Sequence, residues 1–231
     1  MSRLSIIVPV LDEAEVIVAA LSALAPLRQR GAEMIVVDGG SRDGTMDLAR
    51  PHADRVLIAP RGRAAQMNEG AAVAGGDVLL FLHADTRLPR DADLLVRDGL
   101  AHSARSWGRF DVTIEGRSRM LAVVAGLMNL RSRLTGIATG DQAMFVAREA
   151  FAKVGGFPDL PLMEDVALSR ALKRISRPLC LAARATTSGR RWEKHGVGRT
   201  IVLMWRLRLA YYLGAEPATL AQRYGYAPRE H

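Results

Sequence analysis

The chain has 231 residues, 49% of them hydrophobic and 24% charged, with a formal net charge of +8 and a pI near 10.5. That length accommodates one sizeable domain without demanding two, and the sign of the charge suits phosphate-bearing ligands, nucleic acid or an acidic membrane surface. A lone cysteine, Cys180, excludes an internal disulfide and any multi-cysteine zinc site, so a reducing compartment is the default.

The amino terminus runs LSIIVPVL and then meets Asp12, Glu13 and Glu15. It is too short and too quickly acidic for a signal peptide. The nearest approaches to a membrane span, Met120–Leu130 and Ile201–Leu213, are short or interrupted by Arg206 and Arg208. A soluble or peripheral protein of the cytoplasm is expected.

In chain order, Leu4–Val10 reads as a buried strand closed by Pro9. A helical pattern from Glu13 carries Val16, Ala20 and Leu24. Glu33–Asp38 is a second buried strand, followed by a Gly39-Gly40 turn and a helix from Thr45 that Ser41 or Asp43 could cap. A third strand, Asp54–Ala59, ends at Pro60-Arg61-Gly62-Arg63, and Ala64–Ala74 is helical with Gln66, Asn68 and Glu69 as polar groups.

The fourth strand belongs to Asp77–Thr86, DVLLFLHADT, where an apolar run without alternation stops at His83-Ala84-Asp85. Such a run fits a strand buried on both faces of a parallel sheet, and ligands sit at the carboxyl ends of those strands. Strand–helix alternation implies right-handed crossovers. Glu13, Asp38, Arg61, Arg63, His83 and Asp85 therefore gather along one sheet edge. The segment has neither G-x-G-x-x-G nor G-x-x-x-x-G-K-[ST]. An acidic, glycine-turned edge flanked by arginines suits a nucleoside diphosphate neutralised by a divalent cation.

These residues resemble family 2 glycosyltransferases of the GT-A fold, an α/β, Rossmann-like architecture with a mostly parallel central sheet flanked by helices. The matching stretches are IIVPVLDEAE, VVDGGSRDGT, the strand ending HAD, GDQAMFVAREAFAKVGGF, MEDVALSRALKR and RRWEKHG, covering most of Leu4–Gly196. The subgroup most similar in kind is the short soluble enzymes associated with arsenosugar biosynthesis. The resemblance implies one domain over 1–231: a nucleotide-binding half (1–87), an acceptor half (88–196) and a helical extension (197–231).

It also implies roles. Pro9, Val10 and Glu13 would line the nucleoside pocket and Asp38 would meet the base, a uracil or guanine of a UDP- or GDP-linked sugar. Gly40, Arg61, Arg63, Asn68 and His83 complete the nucleotide set. Where the family has D-x-D, this chain has His83-Ala84-Asp85, with Asp85 in the position that binds Mn²⁺ or Mg²⁺ and His83 replacing the first acid. Gln142, beside Asp141, would lie near the transferred sugar. Asp165 of the Glu164-Asp165 pair would be the general base of an inverting transfer, Arg191 a diphosphate or acceptor contact, and Trp192 a stacking surface or a core residue. His195 is either a further metal or phosphate ligand or a surface residue.

Ser103–Arg133 reads as a strand followed by an amphipathic helix. Arg199–Leu213, with Trp205, Tyr211 and Tyr212, suits either an anionic membrane surface or packing on the domain or a second subunit. The competing activities are a nucleotidyltransferase, whose glycine-rich loop is replaced here by LDEAE, and a binding module without catalysis, for which His83 is the support. Nucleic acid is not an expected partner.

Overall fold

The computed structural model describes residues 3–226, so the last five residues of the expected extension, 227–231, lie outside the described residues. In the first half every strand is followed by helix: β1 (Leu4–Val10), α1 (Ala14–Ala23), α2 (Ala25–Gln29), β2 (Glu33–Asp38), α3 (Thr45–Ala49), β3 (Arg55–Ile58), α4 (Arg63–Val73) and then β4 (Val78–Phe81). The second half is mixed: β5 (Thr86–Arg87), α5 (Ala92–Ala101), β6 (Trp107–Glu115), α6 (Met120–Thr135), β7 (Phe145–Ala147), α7 (Arg148–Lys153), α8 (Glu164–Leu172) and β8 (Leu179–Ser188). Three helices follow, α9 (Arg190–His195), α10 (Val197–Tyr212) and α11 (Pro217–Tyr224).

All strands join one eight-stranded sheet in the order β3-β2-β1-β4-β7-β6-β8-β5. The first four pair in parallel, whereas β7 runs antiparallel to both β4 and β6. Along β1 the side chains alternate between two cores. Ile6 and Val8 pack with Ile17 and Leu21 of α1, while Ile7 packs with Met67 and Ala71 of α4. Burial on both faces is why the strand reads as an unbroken apolar run, and each fully buried Ile or Val contributes roughly 1.5–3 kcal/mol. Gly70 lets α4 approach closely, since a Cβ there would stand 2.5 Å from Ile7 Cγ2.

Several boundaries differ from the sequence reading. Pro9 does not close β1; it pairs with Val37 one residue before the strand ends. The inward stripe of α1 is Ile17 and Leu21, with Val16 and Ala20 half-buried, because packing against β1 selects which apolar face turns in. The third strand is the shorter Arg55–Ile58, an edge strand that leaves Ile58 exposed. β7 begins only at Phe145, because Gly140–Gln142 forms a 3₁₀ turn and Ala143 takes a left-handed φ of 45°. β8 has no counterpart in the sequence reading; its half-buried pattern, interrupted by Arg184, hides a strand that pairs in parallel with β6. No helix among the described residues is long and apolar enough to cross a membrane.

Candidate active site

The carboxyl ends of β1 and β4 open onto a cavity of about 520 Å³. Pro9, Val10 and Glu13 come from β1 and the loop after it, Arg61 and Arg63 from the start of α4, and His83 and Asp85 from the end of β4. Its far wall is α11 and the residues next to it, through Ala218, Ala221, Gln222 and Tyr226. Seven of the residues expected at the nucleotide and metal site are thus gathered at one opening.

The segment DGGSRDGT hydrogen-bonds its own turn and the start of α1. Asp38 is buried, and its carboxylate accepts the Gly40 and Ser41 N–H groups at 2.8 Å and the Ser41 hydroxyl. Ser41, Thr45 and Asp43 then accept the N–H groups of Asp12, Glu13 and Ala14 at 2.9–3.0 Å. Those are donors at the start of α1 that no intrahelical carbonyl could satisfy. The Asp43 carboxyl is held below its usual range by hydrogen bonds from Thr45 and Ala14. So Asp38 and Gly40 build the loop that orients Glu13, and neither lines the cavity.

Gln66 was read only as an available polar group, yet it organises the cavity floor. Its buried Nε2 donates to the Val10 and Val37 carbonyls, both at 2.8 Å, tying the ends of β1 and β2 to α4. Asn68, two residues on and on the opposite side of the helix, instead clasps the Phe157 backbone through both amide atoms at 2.8 and 2.9 Å. It fixes the loop before α8 and does not reach the cavity.

Glu13 and Asp85 face the same space. Burial, and then the Asp85 charge, raise the Glu13 carboxyl above its usual range, with Arg190 and Arg63 opposing. His83 and Asp85 sit in a turn, with the Thr86 N–H bonded to the His83 carbonyl at 3.0 Å, rather than in the extended chain their spacing suggested. Among the described residues no cluster of three or more His, Cys, Asp or Glu forms a protein-only metal cage. Mg²⁺ and Mn²⁺ sites of one or two carboxylates completed by phosphate oxygens need none. The mutual repulsion of Glu13 and Asp85 is what a divalent cation would relieve, so these residues fit one.

Behind His83 and Arg63 lies a second acidic group. His83 Nδ1 stands 3.6 Å from Asp141 Oδ1, and Gly140 presses so close that a Cβ there would meet His83 Cε1 at 2.4 Å. Asp165 accepts the Gly140 N–H at 3.0 Å and the Val166 N–H at 2.7 Å. Desolvation works to raise Asp141, but His83, Arg63 and Arg131 outweigh it and hold that carboxyl low. Burial and the neighbouring Asp165 charge raise Glu164, and burial raises Asp165. Arg131 of α6 faces Asp165 and Asp141, with Nε and Nη2 buried and without a hydrogen-bond partner among the described residues.

Asp12 (φ 52°), Ala143 (φ 45°) and Met163 (φ 69°) are the non-glycine left-handed residues among those described. They adjoin Glu13, the Gly140–Gln142 turn and Glu164 respectively, each at a cost of about 1–3 kcal/mol. Strain concentrated at these joints marks backbone bent to aim particular side chains.

Four residues of the sequence reading are used elsewhere. Gln142 is fully buried and bonds Thr139 N–H and Asn129 Oδ1, both at 3.3 Å. Trp192 packs against the cluster of Val112, Leu121 and Val124. His195 is exposed at the end of α9 and does not line the cavity. Arg191 donates to the Tyr224 carbonyl, while its neighbour Arg190 supplies the charge felt by Glu13. The RRW motif signalled a cation here; only the fold tells which arginine faces the acids.

Comparison with known proteins agrees with this arrangement. Residues 5–105 match the family model "Glycosyl transferase family 2". The chain is similar to a PGL/p-HBAD biosynthesis glycosyltransferase of Mycobacterium bovis, 40% identical over 100 residues, 40% of this chain and 39% of that protein. It is also similar to succinoglycan biosynthesis protein ExoA of Rhizobium meliloti, 38% identical over 111 residues, 44% of this chain and 34% of that one. The matched part thus spans well under half of these curated relatives. Among solved structures it resembles mannosyltransferase PcManGT of Pyrobaculum calidifontis, with TM-score 0.66, 24% identity and coverage of 98% of this chain and 66% of that one. Glucosyl-3-phosphoglycerate synthase of Mycobacterium tuberculosis is similar too, with TM-score 0.65, 17% identity and coverage of 98% and 81%.

The fold is that of the GT-A glycosyltransferases. Within it, residues 5–105 carry the match to glycosyl transferase family 2.

Proposed function

We propose that this chain moves a sugar from a nucleotide-diphosphate donor to an acceptor hydroxyl with inversion at the anomeric carbon. The observation that carries the reading is the cavity at the carboxyl edge of the parallel strands, where Glu13 and Asp85 face Arg61 and Arg63, with the Asp141–Glu164–Asp165 group beyond His83. The acceptor oxygen attacks the anomeric carbon and gives its proton to an Asp165 oxygen, and the bond from that carbon to the diphosphate oxygen breaks. Arg61 and Arg63 take up the charge of the departing nucleoside diphosphate. Burial, with the Asp141 charge, keeps the Asp165 carboxyl basic, and the Gly140 N–H orients it.

Asp85 would hold Mn²⁺ or Mg²⁺, which when bound supplies charge neutralisation at the diphosphate. PcManGT was solved with GDP-Man and Mn²⁺, and the phosphoglycerate synthase with Mn²⁺ and UDP, so a UDP- or GDP-linked donor is the starting choice. The relatives reported above bear on the family and not on the arsenosugar subgroup, and the proposal stops at the family. One domain, with residues 1–87 on the donor side and 88–196 on the acceptor side, belongs to the same proposal.

Calorimetry with UDP, GDP, CDP and ADP, each with and without Mn²⁺, tests it. Metal-dependent binding of one nucleotide supports the transferase and identifies the donor class. Absence of binding by all four removes it.

A further inference from the structure

The two helices farthest from the donor cavity in role expose apolar stripes that the fold leaves uncovered. On α6, Met120, Val123, Leu127, Leu130 and Leu134 recur at alternating steps of three and four residues, and Leu134 is 70% exposed. The opposite face of the same helix, through Leu121, Val124 and Met128, is buried against β6. On α10, Val202, Trp205, Leu209 and Tyr212 repeat the pattern, with Trp205 67% exposed, while Leu203 and Leu207 pack inward.

The two helices are joined at one end, where Val197 and Ile201, from the first turns of α10, pack against the α6 cluster of Leu121 and Val124. Each leaves an apolar row exposed. Exposed apolar surface of this extent marks an interaction site.

The flanking charge decides what covers it. Arg199 and Arg206 of α10 are exposed and Arg208 is half-buried, whereas the α6 arginines are engaged within the fold, Arg131 toward Asp165 and Asp141 and Arg133 with Asp111; neither helix carries an Asp or Glu. A shallow groove along α10 is lined by Val202, Leu209 and Leu213 and by Arg199, Arg206 and Arg223. Pairing this face with a second copy through a two-fold axis would set arginines against arginines. Anionic lipid headgroups supply the opposite sign, with acyl chains for the apolar rows.

We propose that α6 and α10 together form a peripheral docking face for an anionic bilayer, with Leu127, Leu130, Trp205 and Leu209 entering the headgroup region and the α10 arginines contacting lipid phosphates. The α6 row extends the face well beyond the single carboxyl-terminal helix suggested by sequence. The proposal does not depend on the transferase reading.

The experiment is co-sedimentation of the intact protein with phosphatidylcholine vesicles, with and without phosphatidylglycerol, at low and high salt. Trp205 emission is followed in parallel as the difference between the parent protein and Trp205→Phe, since Trp107 and Trp192 also emit. Phosphatidylglycerol should tighten binding by about tenfold or more, high salt should weaken it, and Trp205 emission should shift to the blue. Leu127→Glu with Trp205→Glu should abolish binding while leaving the circular dichroism spectrum and nucleotide binding unchanged. Arg199→Gln with Arg206→Gln should reduce only the salt-sensitive part, which keeps the test valid if the first pair misfolds. Equal binding to both vesicle types, or none to either, overturns the proposal. So does a solution dimer that the same substitutions dissociate, since the rows would then pair between copies.

Discussion

The Arg191 guanidinium lies 3.7 Å from the centroid of the Tyr224 ring and donates from Nη2 to the Tyr224 carbonyl at 2.8 Å. This contact latches α9 to the last turn of α11, and α11 carries Ala218, Ala221 and Gln222 on the cavity wall. Burial pushes the Tyr224 phenol up to about 12, so the ring stays neutral beside the cation. A desolvated cation–π contact is worth about 2 kcal/mol. Tyr224→Ala should therefore weaken nucleotide affinity by roughly 10–30-fold with kcat retained. Arg191→Lys separates two roles: a latch changes KM, whereas a group acting on the diphosphate in the transition state changes kcat.

Asp165 and Glu164 should define the acid limb of the pH profile. Both carboxyls are raised by burial, and a base acts only when deprotonated, so the rate should climb as pH rises through the raised Asp165 value and level off above it. Asp141→Asn removes the like charge that adds to burial in raising Asp165 and should move that limb to lower pH. Asp165→Asn should lower kcat by roughly 10²–10⁴-fold with nucleotide affinity little changed. An unshifted limb in Asp141→Asn would assign it to a group other than Asp165.

The same shift has a stability consequence. A carboxyl raised in the folded state, as Glu164 is to about 7 from 4.5, favours the fold most while protonated, below its unfolded value. That contribution is lost as pH rises through the folded value. Glu164→Gln should thus raise Tm relative to the parent chain at pH above 7, and the gain should vanish in acid. Thermal melts across pH measure it.

Asp85→Asn should erase the effect of Mn²⁺ on nucleotide binding and, by removing a neighbouring charge, let the Glu13 carboxyl fall toward its usual value. Calorimetry at several metal concentrations reads the first effect, and carbon-detected titration of Glu13 the second. Metal dependence that survives the substitution would take Asp85 out of the cation site.

Arg109 is fully buried in β6 and meets Asp111, Ser132 Oγ at 3.1 Å and the Asn129 carbonyl at 3.2 Å. Breaking a buried ion pair from one side costs about 3–5 kcal/mol. Arg109→Met should lower stability by that order in urea unfolding, while Arg133→Met, at the exposed end of the same network, should cost under about 1 kcal/mol.

The parallel half of this protein was legible because local pattern and final environment coincide there. Runs such as SIIVPV and MIVV are apolar without alternation because both faces of β1 and β2 are covered, and the charged residues after them fall at one sheet edge by topology. Glu13, Arg63, His83 and Asp85 were therefore identifiable from their positions after strands.

What tertiary structure alone decided is where each polar group spends its hydrogen bonds. Asp38 and Asp85 both follow apolar strands, yet the carboxylate of Asp38 is consumed by its own turn and that of Asp85 faces the cavity. Gln66 and Asn68 lie two residues apart on one helix, which turns them about 200° apart. One amide holds the strand ends and the other the loop before α8. Arg190 and Arg191 part in the same way. Sequence determined the parallel strands of the first half, the edge they form and the chemical groups available to it; only packing, which fixes the direction of each side chain and the partner it meets, determined which of them face the cavity.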